Sequence, residues 1–568
     1  MADVIELSRD AAMKTALLAA TALIGLAGGV SSGWAQALPS TPIDPAKLSE
    51  HVRVLSSDAF EGRGPATPGE TKSIDYISKQ MAAAGLKPGN PNGSWFQDVP
   101  LARFEVKGPV QMSLTAGGQT QAFTQGEQAV VQTLLPVDHV AIKNAPLVFV
   151  GYGVKANECG WDDFKGVDLH GKIAVVLIND PDFEAPQVTT SEGCFGGKAM
   201  TYYGRWTYKY EEAARQGALG MLIVHETAPA AYGWATVRNS NGNAQFDIVR
   251  ADPTKAHALL QGWIQRDVTV DLFKKAGLDF ETAKRAAQSR DFHPVELKGA
   301  SFSADYAVDH SQIVSHNVVG RLVGKTRPNE TVVYSAHWDH LGVGAPDAKG
   351  DRIYNGAVDN ATGIAALLEL ARVYAHAPRT DRSILFLAVT AEEKGLLGSE
   401  YYATHPLYPA ALTVADLNMD ALSPSGPAKD ISISGGGKVD LEDRLEAAAK
   451  AEGRYFSPDQ EPEKGHFYRS DHFSFAKEGV PAISIESGMD LYDGGKAKGE
   501  ALAADYVARR YHQPADEWSP NWDLRGAAID IGLVYKLGRS LADSDVWPAW
   551  KPSAEFKAAR DATAAERH

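Results

Sequence analysis

Cysteine is nearly absent, with Cys159 and Cys194 the only two among 568 residues. Two thiols this far apart exclude a finger- or ribbon-type zinc site, which needs closely spaced ligand pairs. Outside the cytoplasm they are expected as a disulfide, with two unlinked buried thiols as the alternative. Positive charge is also scarce: 56 Lys and Arg against 71 Asp and Glu give a formal net charge of −15. No basic patch stands out, which excludes a nucleic-acid partner, and acidity of this size serves solubility. Long apolar runs are missing too. Thr15–Val30 follows Lys14 but falls short of the ~20 residues that span a bilayer, so no permanent membrane span is expected. Ala35-Gln36-Ala37 then supplies a small-x-small pattern for a signal peptidase. Residues 1–37 therefore read as a signal peptide, with Met13 as an alternative start. The mature chain is expected outside the cytoplasm, periplasmic or secreted.

A chain this long implies two or more globular units. Leu48, Val52 and Leu55 recur at helical spacing, as do Ile74, Ile77, Met81 and Ala84 before Gly85. Between them Ser56–Gly64 is a glycine-punctuated loop. Trp95–Arg103 reads as a strand and Val110–Phe123 as a second strand or a hairpin. Short β-rich runs follow at Ala145–Gly153, Lys172–Ile178 and Gly217–Val224, with helices expected over Tyr208–Gln216 and Pro253–Gln261. This block holds no cluster of metal ligands and reads as an inserted small domain. Afterwards strands at Val318–Val323, Thr331–Ala336, Ser383–Thr390, Leu412–Asn418, Ile431–Ser434 and Ala482–Glu486 alternate with helices. The helices are Gly363–Tyr374, Leu441–Glu452 and Gly526–Ala542. Such alternation predicts an α/β fold with a mostly parallel central sheet sandwiched by helices. The expected division is 1–37 signal peptide, 38–140 first part of the main domain, 141–292 insert, 293–550 main domain and 551–568 polar tail.

Chemistry concentrates between Val332 and Asp420. His337 and Asp339 follow one apolar run, Glu392 and Glu393 follow the next, and Asp420 follows a third. Asp359 stands just before a helix, where end amides help satisfy its charge. Ligands of open α/β sheets bind beyond the carboxyl ends of the strands, and a solvated surface would not place its charges so regularly there. Imidazole and carboxylate donors suit Zn²⁺, with Co²⁺ or Mn²⁺ as alternatives. The carboxylates exceed what one tetrahedral ion needs, so two ions ~3.5–4 Å apart, sharing a carboxylate, fit better. A neighbouring unligated Glu would take a proton from water. On spacing alone the last histidine ligand stays open among His512, His340, His466 and His472.

Taken together, these residues resemble peptidase family M28, the aminopeptidase Y-like zinc metallopeptidases. The resemblance covers His337-Trp338-Asp339, Asp359-Asn360, Glu392-Glu393 and Asp420. It extends to Arg469–Phe473 with Gly479–Pro481, to Tyr511-His512-Gln513-Pro514, and to the Ser56–Gly64 loop. The insert is similar to the β-rich protease-associated (PA) domain of many members. The resemblance implies that Asp359 bridges two zinc ions, completed by His337 and Asp420 on one side and by Glu393 and His512 on the other. Glu392 would be the general base, and Asp339 would orient His337 through its other ring nitrogen. Tyr468 and Arg469 would line a pocket for peptide substrates, or be a packed aromatic and a structural ion pair. A cis peptide is expected at Asp359–Asn360. The function implied is an exported aminopeptidase. Alternatives are a carboxypeptidase or dipeptidase of the same family, a glutaminyl cyclase-like acyltransferase with one zinc, and a receptor-like binding protein without metals.

Overall fold

One long strand, Val295–Leu322, runs through both halves of the molecule. Its first part pairs antiparallel with His139–Phe149 and its last part with Arg382–Val389. Strand Phe96–Ala116 lies antiparallel along most of it. A single 16-stranded mixed sheet results. The structure is a computed structural model that describes residues 38–184, 195–241 and 243–567.

In the larger half, Ala482–Ser487, Thr413–Met419, Arg327–His337 and Arg382–Val389 lie side by side and parallel. Every residue of Thr413–Met419 and Arg382–Val389 is buried, as expected for strands covered on both faces. Pro45–Leu55, Thr362–His376 and Arg525–Ala542 pack into the core on one face. Tyr402 and Phe475, from helices Leu397–Thr404 and His472–Lys477, pack on the other. This is the α/β sandwich that the alternation predicts.

The other half adds His139–Phe149, Ile173–Leu177, Gly220–His225 and Leu260–Gln265 in parallel, with Ala129–Gln132 antiparallel at the end. Its hydrophobic core draws on residues from Met112 to Val308, wider than the expected 141–292. The physical reason is the Phe96–Ala116 and Gln119–Phe123 hairpin, whose Met112, Leu114 and Phe123 point into that core.

Two local expectations change. Pro253–Gln261 is not a helix: Pro253–Lys255 makes one turn, and Leu260 onward pairs with Gly220–His225. The polar tail, described over 551–567, is not a free end but is docked on the main domain. Phe556 is buried and stacks on Phe467 at 5.8 Å, Glu555 accepts the Tyr468 hydroxyl at 2.6 Å, and Arg560 donates to the Thr413 carbonyl at 3.1 Å.

The signal-peptide reading, residues 1–37, lies outside the described residues. Cys159 is disulfide-bonded; Cys194, the only other cysteine of the sequence, lies outside the described residues. Among the described residues no helix is long and apolar enough to cross a membrane.

Candidate metal centre

Parallel strands deliver the charged residues to one end of the sheet. His337 ends Arg327–His337, Glu392 and Glu393 open the turn after Arg382–Val389, and Asp420 follows Thr413–Met419. Asp359 sits in an irregular turn, Ala357–Ala361, ahead of helix Thr362–His376, and its peptide bond to Asn360 is cis. Ala391 and His512 hold φ values of 53° and 57°. Positive φ is costly for residues with a Cβ, and such strain gathers at functional sites.

The donor atoms converge in two sets. Asp359 Oδ1 lies 3.3 Å from His337 Nε2, and Asp420 Oδ1 lies 3.2 Å from the same nitrogen. Asp359 Oδ2 lies 3.2 Å from His512 Nε2, and Glu393 Oε2 lies 3.1 Å from it. Ligands ~2.0–2.1 Å from a tetrahedral zinc stand roughly 3.3 Å from each other. The separations therefore fit an ion on each side of Asp359. Glu392 Oε2 lies 4.0 Å from His337 Nε2, close enough for proximity to group it with His337 and Asp420 but farther than the 3.2–3.3 Å of Asp420 and Asp359.

Proximity alone also groups His340 with Asp359 and Glu393. His340 Nδ1 is 2.6 Å from Glu393 Oε1, on the oxygen away from His512, and the ring is fully buried. His512 touches both carboxylates and is 35% exposed, so it faces the cleft where an ion would need an open position. We take His512 as the second-set histidine and His340 as the group behind Glu393. His472 is buried edge-on against Phe467 at 4.6 Å, and burial pushes its ring down to about 3. His466 stands beside Glu461. Neither joins the cluster.

Electrostatics point the same way. Burial opposes charge on His337, yet Asp420, Glu392 and Asp359 outweigh it and carry the ring well above an ordinary imidazole. Burial likewise opposes a charged His512, but Glu393 and Asp359 push it up to about 10. The Glu392 carboxyl is driven well above the usual range, first by burial, against His337, and further by Glu393 and Asp420. Asp339 rises to about 7, mainly by burial. Asp339 Oδ2 is buried without a hydrogen bond. Buried carboxylates this dense carry a large desolvation and repulsion cost unless cations pair with them. The donor set suits zinc.

Asp339 acts on two neighbours. His337 Nδ1 lies 3.1 Å from the Asp339 backbone carbonyl and 3.8 Å from its carboxylate. The carboxylate instead accepts the Glu392 N–H at 3.0 Å. Orientation of His337 thus runs through the main chain of Asp339, and the side chain fixes the turn that carries Glu392.

Several supports escape sequence reading. Arg63, in the Ser56–Gly64 loop, is fully buried and donates to the carbonyls of Trp338, Leu55, Asn355 and Gly356 at 2.8, 3.0, 2.6 and 2.8 Å. It ties the two segments that carry His337 and Asp359. Asp516 accepts the N–H groups of Val358 and Asp359. Asn360 bonds the Met419 carbonyl and the Ala421 N–H on either side of Asp420. Ser470 donates to Asp420 Oδ2 at 2.7 Å. The only sequence signal for these was their place inside or beside the motifs.

Tyr468 is buried, ringed by Phe467 and Phe473, and its hydroxyl is taken by Glu555. It is packed and does not line the cleft. Arg469 is half-buried, directly before Ser470.

Residues 317–534 match the family model described as peptidase family M28. A probable zinc metalloprotease of Pyrenophora teres f. teres (strain 0-1) is 35% identical over 108 residues, 19% of this chain and 23% of that protein. Aminopeptidase YwaD of Bacillus subtilis (strain 168) is 38% identical over 92 residues, 16% of this chain and 18% of that protein. The chain thus matches 23% and 18% of these two relatives' lengths. Among solved structures, the aminopeptidase from Aneurinibacillus sp. strain AM-1 aligns at 20% identity and a TM-score of 0.46, over 87% of this chain and 94% of that one.

Proposed function

Because residues 317–534 match the peptidase family M28 model, we propose that the chain is a di-zinc aminopeptidase. The observation that carries the reading is Asp359, whose two oxygens face His337 and His512, with Glu392 beside the pair. His337, Asp420 and Asp359 would hold one ion, and His512, Glu393 and Asp359 the other. Zinc bound there acidifies a water and polarises the scissile carbonyl.

The remaining work falls to the chain. Glu392 takes the proton from water and passes it to the leaving amine. Its backbone is fixed by Asp339, so the carboxylate stays aimed at the first donor set. The surplus of carboxylates favours a cationic α-amine over a free carboxylate directly at the reacting centre. Peptides cleaved at the N-terminus are the substrates this charge distribution suits. Export, read from residues 1–37, is part of the same proposal and is checked by N-terminal sequencing of the mature protein.

The test is a panel of aminoacyl chromogenic amides with their N-acetylated twins, run on zinc-loaded wild type and Glu392→Gln. Cleavage of free-amine substrates alone, lost in the variant with zinc still bound, is expected. Cleavage limited to C-terminal residues, or cyclisation of N-terminal glutamine with one bound zinc, would overturn the reading.

A further inference from the structure

Residues 200–206 of the insert dock on residues 462–473 of the main domain. The Met200 N–H donates to the Pro462 carbonyl at 3.0 Å. Gly465 approaches so closely that a Cβ there would lie 2.8 Å from the Met200 sulfur. The Tyr202 ring sits 5.3 Å from Phe473 and 6.4 Å from Tyr468. Two arginines come together at this seam: Arg205 from the insert, only 7% exposed, and Arg469 from the main domain.

Both guanidinium groups have a buried Nε without a hydrogen-bond partner. Among the described residues, neither group forms an ion pair or a side-chain hydrogen bond. The other buried arginines, Arg63, Arg382, Arg454 and Arg560, each donate to a carbonyl or carboxylate. Arg205 is pushed down to about 9, first by burial and then by the like charge of Arg469; the phenols of Tyr232 and Tyr468 only partly offset this. A buried cation with a like charge beside it costs stability, and an entering anion removes that cost. A carboxylate matches the guanidinium fork in a bidentate way.

Arg469 is chain neighbour to Ser470, which bonds the Asp420 carboxylate. Adjacent Cα atoms are ~3.8 Å apart and a peptide advances at most ~3.3–3.6 Å per residue. The Arg469 backbone thus stands one residue from a group that touches Asp420, within the span of a short peptide.

We propose that Arg205 and Arg469 form a carboxylate-binding pocket that selects substrates with an anionic group one or two residues beyond the scissile bond. It rests on the peptidase reading above and narrows it to short peptides with a free C-terminus, or to peptides with an acidic side chain just after the cleaved bond. The insert then supplies a specificity residue, so cleft and insert recognise one substrate jointly.

The experiment uses the full zinc-loaded chain. Calorimetric titration of Glu392→Gln with trialanine, trialanine amide, and Ala-Glu-Ala amide reads binding without turnover. At least tenfold tighter binding of trialanine than of its amide is expected, with the difference removed by Arg205→Gln or Arg469→Gln. Tighter binding of Ala-Glu-Ala amide alone assigns the pocket to an acidic side chain and also supports it. Equal affinities for all three peptides overturn it. In wild type, kcat/KM for whichever of trialanine and Ala-Glu-Ala amide binds tighter, relative to trialanine amide, should fall about tenfold in each arginine variant, and both ratios unchanged in both variants overturn the proposal. If the peptidase reading fails instead, wild type turns over none of these peptides while the binding difference remains.

Discussion

Asp516 Oδ2 accepts the backbone N–H of Asp359 at 3.1 Å. The same carboxylate takes the Val358 N–H at 3.1 Å, so one buried side chain holds the irregular turn that presents Asp359, the residue proposed to bridge two zinc ions. Asp516→Ala leaves two buried N–H groups without acceptors. A loss of roughly 1–3 kcal/mol is expected, together with ~10–100-fold weaker zinc binding, the usual effect of removing a group that positions a ligand. Asp516→Asn retains one carbonyl acceptor and should lose less. Thermal melts and zinc titration against a competing chelator measure both, and an alanine variant with wild-type zinc affinity would contradict the argument.

Metal removal should destabilise the chain, because the Asp359, Glu393, Asp420 and Glu392 carboxylates are then left to repel one another in a buried site. Melting temperature should rise with free zinc, following a stabilisation of about 2.7 kcal/mol at a hundredfold excess over Kd. Asp359→Asn takes a charged donor from both sets at once and should flatten that dependence. Metal analysis should find about two zinc ions per wild-type chain, as the paired donor sets require.

The strand tips were legible because a buried parallel strand leaves a continuous apolar run, and a charged pair after such a run has few structural uses. That logic brought out His337, Asp339, Glu392, Glu393 and Asp420 as candidates, and Asp359 by its place before a helix, while the choice of His512 and the bridging role of Asp359 needed the family resemblance. Arg63 and Asp516 were not legible. Most of their partners are backbone groups of residues 338–359, and main-chain partners leave no mark in a sequence. The domain boundary slipped for a related reason: one strand, Val295–Leu322, serves both halves, so no composition break marks where one core ends. Helix Gly495–Arg509 buries only Gly499 and so offers periodicity no apolar stripe to find.

Asp247 predicts an acid-dependent weakening of the contact between strand Gln245–Ile248 and helix Leu397–Thr404. Its carboxylate accepts two bonds from Arg250, at 2.7 and 2.8 Å, and lies 2.7 Å from His257; Arg250 also reaches Glu400 at 2.8 Å. Burial alone would raise the Asp247 pKa, but the bonds from His257 and Arg250 outweigh it and lower the value. A folded pKa below the unfolded value of about 3.9 gives stability that is full above that value. It is lost as pH falls through the folded pKa. Asp247→Asn should therefore cost roughly 1–3 kcal/mol at pH 7, and the gap to wild type should close as pH drops below about 4. Urea melts across pH 3–7 read this directly; a gap that widens in acid would refute it.

Phe556 tests whether the C-terminal segment belongs to the core. It is 5% exposed, stacks on Phe467 at 5.8 Å, and meets Trp550 at 5.0 Å and Phe473 at 6.1 Å. Phe556→Ala removes a buried ring between fixed aromatics, and such cavities cost about 3–5 kcal/mol. Glu555, its neighbour, holds Tyr468 and Lys438, so the loss should spread to the segment that ends in Arg469 and Ser470. The variant is expected to melt well below wild type while still binding zinc, since the ligands stand on the sheet and on the His512 turn, away from this contact. Thermal melts and metal analysis on the same sample separate the two effects. A wild-type melting temperature would mean that 551–568 is a dispensable tail after all.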